Sequence, residues 1–118
     1  MRKEVNFNTE YKTAAIDEIV YLTVLIGKGQ PGSSVVKLGD NVIKDGTNIV
    51  RLPIGKNSEL KGKTLKITSV VDDFQIFTNE TCIDYLLTGG EESKVYHLDA
   101  NVDIDGDKIN YFTKIKFI

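Results

Sequence analysis

The sequence predicts an all-β fold: an antiparallel β-sandwich of about seven to nine strands, immunoglobulin-like or C2-like in general form, with a small β-barrel as the alternative. Three observations carry this. Val, Ile and Thr supply 34 of the 118 residues, against three Ala and one Met, and these residue types favour strands over helices. Apolar and polar residues alternate with a period of two in several stretches. Turn signals recur roughly every 8–12 residues, the spacing of a sandwich or barrel. The length fits a single domain spanning residues 1–118. A chain of this size buries roughly two thirds of its surface, enough to fold without a disulfide or a metal.

Residues 3–13 alternate, with Val5, Phe7, Thr9, Tyr11 and Thr13 on one side. This predicts a half-buried strand. Residues 14–18 are ambiguous and allow one helical turn. Residues 19–26 are apolar on both faces, as a central strand is. Residues 27–34, with three glycines and a proline, read as a loop. Short strands follow at 35–38 and 41–43, separated by Gly39-Asp40. Asp45-Gly46 is a hairpin signal and leads to a strand at 47–54. Residues 55–63 are polar. Residues 64–71 alternate again, with Leu65, Ile67, Ser69 and Val71 facing one way. Phe74, Ile76 and Phe77 are too apolar for a free loop, so the 72–80 segment is expected to fold back on the core.

The last third reads as a three-stranded meander of residues 81–88, 93–104 and 108–118. With a turn at 89–92, Tyr85 faces Tyr96, Ile83 faces Leu98 and Asp84 faces His97. With a turn at Asp105-Gly106, Ala100 faces Tyr111 and Val102 faces Ile109. Both registers place apolar residues on one face, and a one-residue slip would reverse every side chain. Leu60–Ile67, the Asn79-Glu80-Thr81 turn and the Tyr85–Gly90 strand end have the look of small bacterial sandwich domains, a likeness too general to name a family.

Charge and cysteine content narrow the setting. Fifteen basic and 17 acidic residues give a formal charge of −2, which argues against a nucleic-acid binder. No apolar run is long enough to span a membrane. Cys82 is the single cysteine, so no intramolecular disulfide forms, and no apolar leader follows Met1. These features predict a cytoplasmic protein; a mature secreted fragment behind an added Met is the alternative.

Four segments have residue types that carry chemistry. Gly27-Lys28-Gly29-Gln30-Pro31-Gly32 matches G-x-G-x-x-G after a strand. Dinucleotide binding needs a helix N-terminus next, and Ser33–Leu38 is not a helix-forming run. Asp99, Asn101, Asp103, Asp105 and Asp107 make an acidic hairpin. Asn101, Asp103, Asp105 and Gly106 match positions 1, 3, 5 and 6 of an EF-hand loop, which aims hard oxygens at calcium. Phe112 stands where the bidentate glutamate belongs, and no flanking helices are expected. Cys82, Asp84 and His97 share one face of the 81–104 hairpin, a set that can in principle activate a thiolate. An open sheet face supplies no oxyanion hole for it. Lys56, Lys61, Lys63 and Lys66 form a basic segment that reads as a solvated loop and edge strand.

The function expected from these residues is a non-catalytic interaction or assembly module that binds a protein partner or its own copies and uses no cofactor. A calcium-dependent ligand-binding module built on residues 99–107 is the alternative, and a cysteine-dependent enzyme using Cys82 a second one.

Overall fold

Strands form where the sequence alternates. A computed structural model describes residues 2–27, 30–47, 49–72, 80–101 and 108–118. It holds nine strands: β1 (Arg2–Tyr11), β2 (Ile19–Ile26), β3 (Gly32–Leu38), β4 (Asn41–Gly46), β5 (Ile49–Lys56), β6 (Thr64–Asp72), β7 (Glu80–Thr88), β8 (Lys94–Asn101) and β9 (Lys108–Phe117). One helical turn, α1 (Asn57–Leu60), lies between β5 and β6. The strands make two sheets, with orders β1-β9-β6-β3-β4 and β5-β2-β7-β8. This is a β-sandwich and not a closed barrel. All pairings are antiparallel except β1 with β9, the first strand with the last, which run parallel.

The chain crosses between sheets six times, and only β3–β4 and β7–β8 are paired hairpins. Gly39 turns the first hairpin with φ 61°, the positive value that a tight two-residue hairpin turn asks of its first central residue. Inward residues of both sheets make one core. Leu22, Val36, Leu65, Ile67, Ile83, Tyr85, Leu87, Ile109, Tyr111, Ile115 and Phe117 are all buried. Full burial of an aliphatic or aromatic side chain of this size contributes about 1.5–3 kcal/mol, so these positions outweigh any surface contact. Several polar groups inside the core are tied across strands. Ser34 and Ser69 hydroxyls lie 2.6 Å apart. Thr81 donates to the Ala100 carbonyl at 3.0 Å and accepts from the Tyr111 hydroxyl at 2.6 Å, which links the two sheets.

Several expectations need correction. Residues 14–18 hold a bend at 15–16 and not a helical turn; among the described residues the one helix is at 57–60, inside the stretch read as polar. Asp45-Gly46 does not turn a hairpin, because β4 pairs with β3 while β5 pairs with β2 in the other sheet. The meander stops after its first hairpin. β9 leaves β8 and inserts between β1 and β6, so Tyr111 lies opposite Val5 and Ser69, and Ile109 opposite Lys3 and Val71. Alternation on β9 specifies which face is buried, and it is satisfied equally by any neighbour of matching pattern. The outward faces of β7–β8 and of β9 therefore lie on opposite outer sides of the sandwich. The apolar residues at 74–77 lie outside the described residues.

Candidate functional site

The β7–β8 hairpin gathers the sequence's chemically active side chains. Its register is unbroken over eight pairs, from Leu87↔Lys94 to Glu80↔Asn101. Thr81, Ile83, Tyr85 and Leu87 fill the core, so Cys82, Asp84 and Leu86 take the outer face. Asp84 stands opposite His97, and Cys82 opposite Asp99, as the sequence predicts for the first pair. His97 Nδ1 is hydrogen-bonded to Asp84 Oδ1, and His97 Nε2 lies 3.4 Å from Asp99 Oδ2. Carboxylates only accept, so the protonated ring can donate from both nitrogens at once. The hydrogen bond that His97 donates to Asp84, opposed by desolvation and aided by both carboxylate charges, raises the His97 pKa above its ordinary value.

Cys82 is buried. The Gly27 amide donates to the Cys82 carbonyl at 3.0 Å. A Cβ added at Gly27 would stand 2.4 Å from the Cys82 sulfur, so the Gly27 main chain covers the thiol. Asp99 is exposed and engaged with His97. Asn101 ends β8. Asp103, Asp105 and Asp107 lie outside the described residues. Among the described residues, no group of three His, Cys, Asp or Glu side chains converges to hold a metal ion.

The glycine-rich segment leads into β3 at Gly32, so a strand follows the glycines where a dinucleotide site requires a helix. Lys28 and Gly29 lie outside the described residues. Gln30 is buried and donates to the Glu80 carbonyl at 3.2 Å. Gly32 sits so close to β6 that a Cβ would come within 2.7 Å of the Val70 carbonyl oxygen. Of the lysines at 56, 61, 63 and 66, Lys66 projects from the outer face of β6 within 3.5 Å of Asp40, Lys56 ends β5, and Lys61 and Lys63 lie in the connection between α1 and β6.

The second feature of the hairpin is its free edge. β8 is the outer strand of its sheet, and among the described residues no strand pairs with its other side. Val95, opposite Leu86, is 64 % exposed. β8 contains no proline, and its pairing with β7 shows no bulge. Tyr96 reaches across to β1, with its ring 5.8 Å from Phe7 and its hydroxyl donating to the Glu10 carbonyl at 3.2 Å. That contact braces β8 against the other sheet.

Sequence reasoning missed the residue that organises the opposite end, Asn57. It is buried. Its carbonyl accepts from the Ala14 amide at 2.9 Å, and its amide group donates to Glu18 and Gly89 carbonyls at 2.8 and 2.9 Å. Beside it, the Ser58 hydroxyl and amide both donate to Asp17, which holds that carboxyl below its ordinary pKa. The only available signal was an Asn in a polar run, which is usual for any surface loop. Among the described residues no helix is long and apolar enough to cross a membrane. Compared with family models, with curated proteins and with solved structures, the chain finds no match in any of the three.

Proposed function

We propose that the protein is a non-catalytic interaction module that takes up an extended segment of a protein partner, or of a second copy, by strand addition at β8. The observation that carries this is the regular edge of β8, free of bulge and proline. An edge strand presents a row of main-chain donors and acceptors, which natural proteins blunt when it has no use. Strand addition takes its affinity from main-chain hydrogen bonds and its specificity from alternate side chains. On β8 those are Val95, His97 and Asp99 on the outer face, an apolar position followed by two that carry charge.

Hydrogen exchange tests the reading on the full chain, alone and bound to a partner captured on it from the source organism. The expected result is added protection confined to Lys94–Asn101. Protection appearing on β5 or on the loops, with β8 unchanged, would overturn strand addition at this edge. Sedimentation over a range of concentrations separates the two occupants: a mass that doubles with concentration, together with the same β8 protection, identifies the second copy.

A further inference from the structure

The outer face of the five-stranded sheet carries a row of lysines that no local stretch of sequence shows. Lys37 on β3 lies opposite Lys66 on β6, and Lys66 lies opposite Lys114 on β9. All three alternate with buried neighbours: Val36, Leu65 and Ile67, Thr113 and Ile115. Their side chains therefore share the side away from the core. Lys37 and Lys114 are exposed, and the Lys66 side chain is 40 % exposed. Adjacent strands stand about 4.8 Å apart, so three ammonium-bearing residues fall within about 10 Å. Like charges placed directly opposite one another destabilise a sheet.

Two other lysines of the same sheet have acidic neighbours. Lys108 Nζ lies 3.6 Å from Asp72 Oδ1, and Lys116 stands opposite Glu10 in register. Within the row only Lys66 has an ion pair among the described residues, with the fully exposed Asp40 at 3.5 Å. The row continues to Asn8 on one side and Val42 on the other, neither of them acidic. The next row runs Asn6, Phe112, Thr68, Val35 and Asp45, with Phe112 and Val35 half-buried and Asp45 exposed at its far end. A row of three lysines, with one ion pair among the described residues, thus borders the half-buried apolar side chains of Phe112 and Val35 on the outer face of the sheet.

We propose that this face docks an acidic protein segment, whose carboxylates pair with Lys37, Lys66 and Lys114 while apolar side chains cover Phe112 and Val35. Complementary charge across such a contact steers and orients a partner. Nucleic acid fits less well. Phe112 is the single outward aromatic among the described residues of this sheet, and unpaired bases need rings to stack on. The chain's net charge of −2 also opposes a long polyanion outside the row. This surface lies on the other sheet from β8, so the inference stands apart from the strand-addition reading.

The test is an amide-shift titration of the full chain at 50 and 300 mM NaCl with a decaglutamate peptide and, separately, with single-stranded oligo(dT) of ten nucleotides. Decaglutamate is expected to move the amides of Val35–Lys37, Lys66–Thr68 and Phe112–Lys114 and to leave β8 in place. Its affinity is expected to fall roughly tenfold at the higher salt, as screening predicts for surface charge pairs. A Lys37→Glu/Lys114→Glu variant with native core shifts should lose the response. Lys114→Gln, a single exposed change, makes the same comparison should the double variant not fold. No shift with decaglutamate, shifts centred elsewhere, or a response of the row to oligo(dT) as strong as to decaglutamate would each overturn the proposal. Failure here leaves β8 protection unaffected, so the two readings fail separately.

Discussion

The four-stranded sheet ends in two edges, β5 and β8, built by opposite rules. β5 is irregular throughout. Its pairing with β2 shifts register twice, Arg51 takes a positive φ of 50°, and Pro53 has no amide hydrogen to offer. The Arg51 amide is spent on the Thr23 hydroxyl at 3.0 Å, and its guanidinium lies 4.5 Å above the Tyr21 ring. Bulges, proline and charge are the usual ways to make an edge unfit for pairing. β8 has none of the first two and keeps one register over its whole length. The same sheet therefore guards one edge and leaves the other ready, and this asymmetry is what gives the strand-addition reading its direction.

The contrast can be broken most strongly where β5 ends. Asn57→Ala removes three hydrogen bonds made by one buried side chain, leaving the Ala14 amide and the Glu18 and Gly89 carbonyls without it. A buried polar group stripped of its partner costs about 1–3 kcal/mol. The expected loss is about 3 kcal/mol in denaturant unfolding, with Asn57→Asp recovering only part of it, since a carboxylate donates to neither carbonyl. On the β8 side the corresponding weak point is the loop that starts the hairpin's return. Gly89 has φ 95°, and a Cβ there would lie 2.2 Å from the Ile19 carbonyl oxygen. Gly89→Ala is expected to cost about 2 kcal/mol, from strain and displacement of β2, measured the same way.

The smallest effect sharpens the comparison. His97 sits on the open edge with its pKa raised by Asp84. A raised folded-state pKa contributes stability that is fully present below the unfolded-state value and is lost as pH rises through the folded one. The stability difference between the native chain and Asp84→Asn is therefore expected to be larger at pH 5.5 than at pH 8.5. A difference that stays constant over that interval would show that the pair does not titrate as the geometry implies. β5 carries no histidine, so its stability contribution should show no such pH dependence.

Much of this was legible in the sequence, and the part that was not has a common cause. Period-two alternation located β1 and β6 to within a few residues, the apolar run at 19–26 located β2, and the turn at 89–92 gave the β7–β8 register that sets Asp84 against His97. Alternation identifies a face, and a short turn identifies a neighbour. Before β9 the Asp105-Gly106 signal suggested a turn back onto β8, but alternation specified only the buried face, so Tyr111 was assigned to Ala100 when its neighbours are Val5 and Ser69. The same reasoning explains why the lysine row was invisible: residues 37, 66 and 114 belong to three segments joined only by topology. Asn57 was missed for another reason. Its role depends on burial, and a polar residue in a polar stretch gives no sign of being enclosed.

The placement of β9 also orders events in time. It lies between β1 and β6, so while the chain is being synthesised the larger sheet exists only as β1 on one side and β6-β3-β4 on the other. Every residue of β1 waits for a strand made some hundred residues later, and the core beneath it stays open until then. Such long-range pairing is slow to form. β9 follows both of its neighbours along the chain and closes the sheet between them.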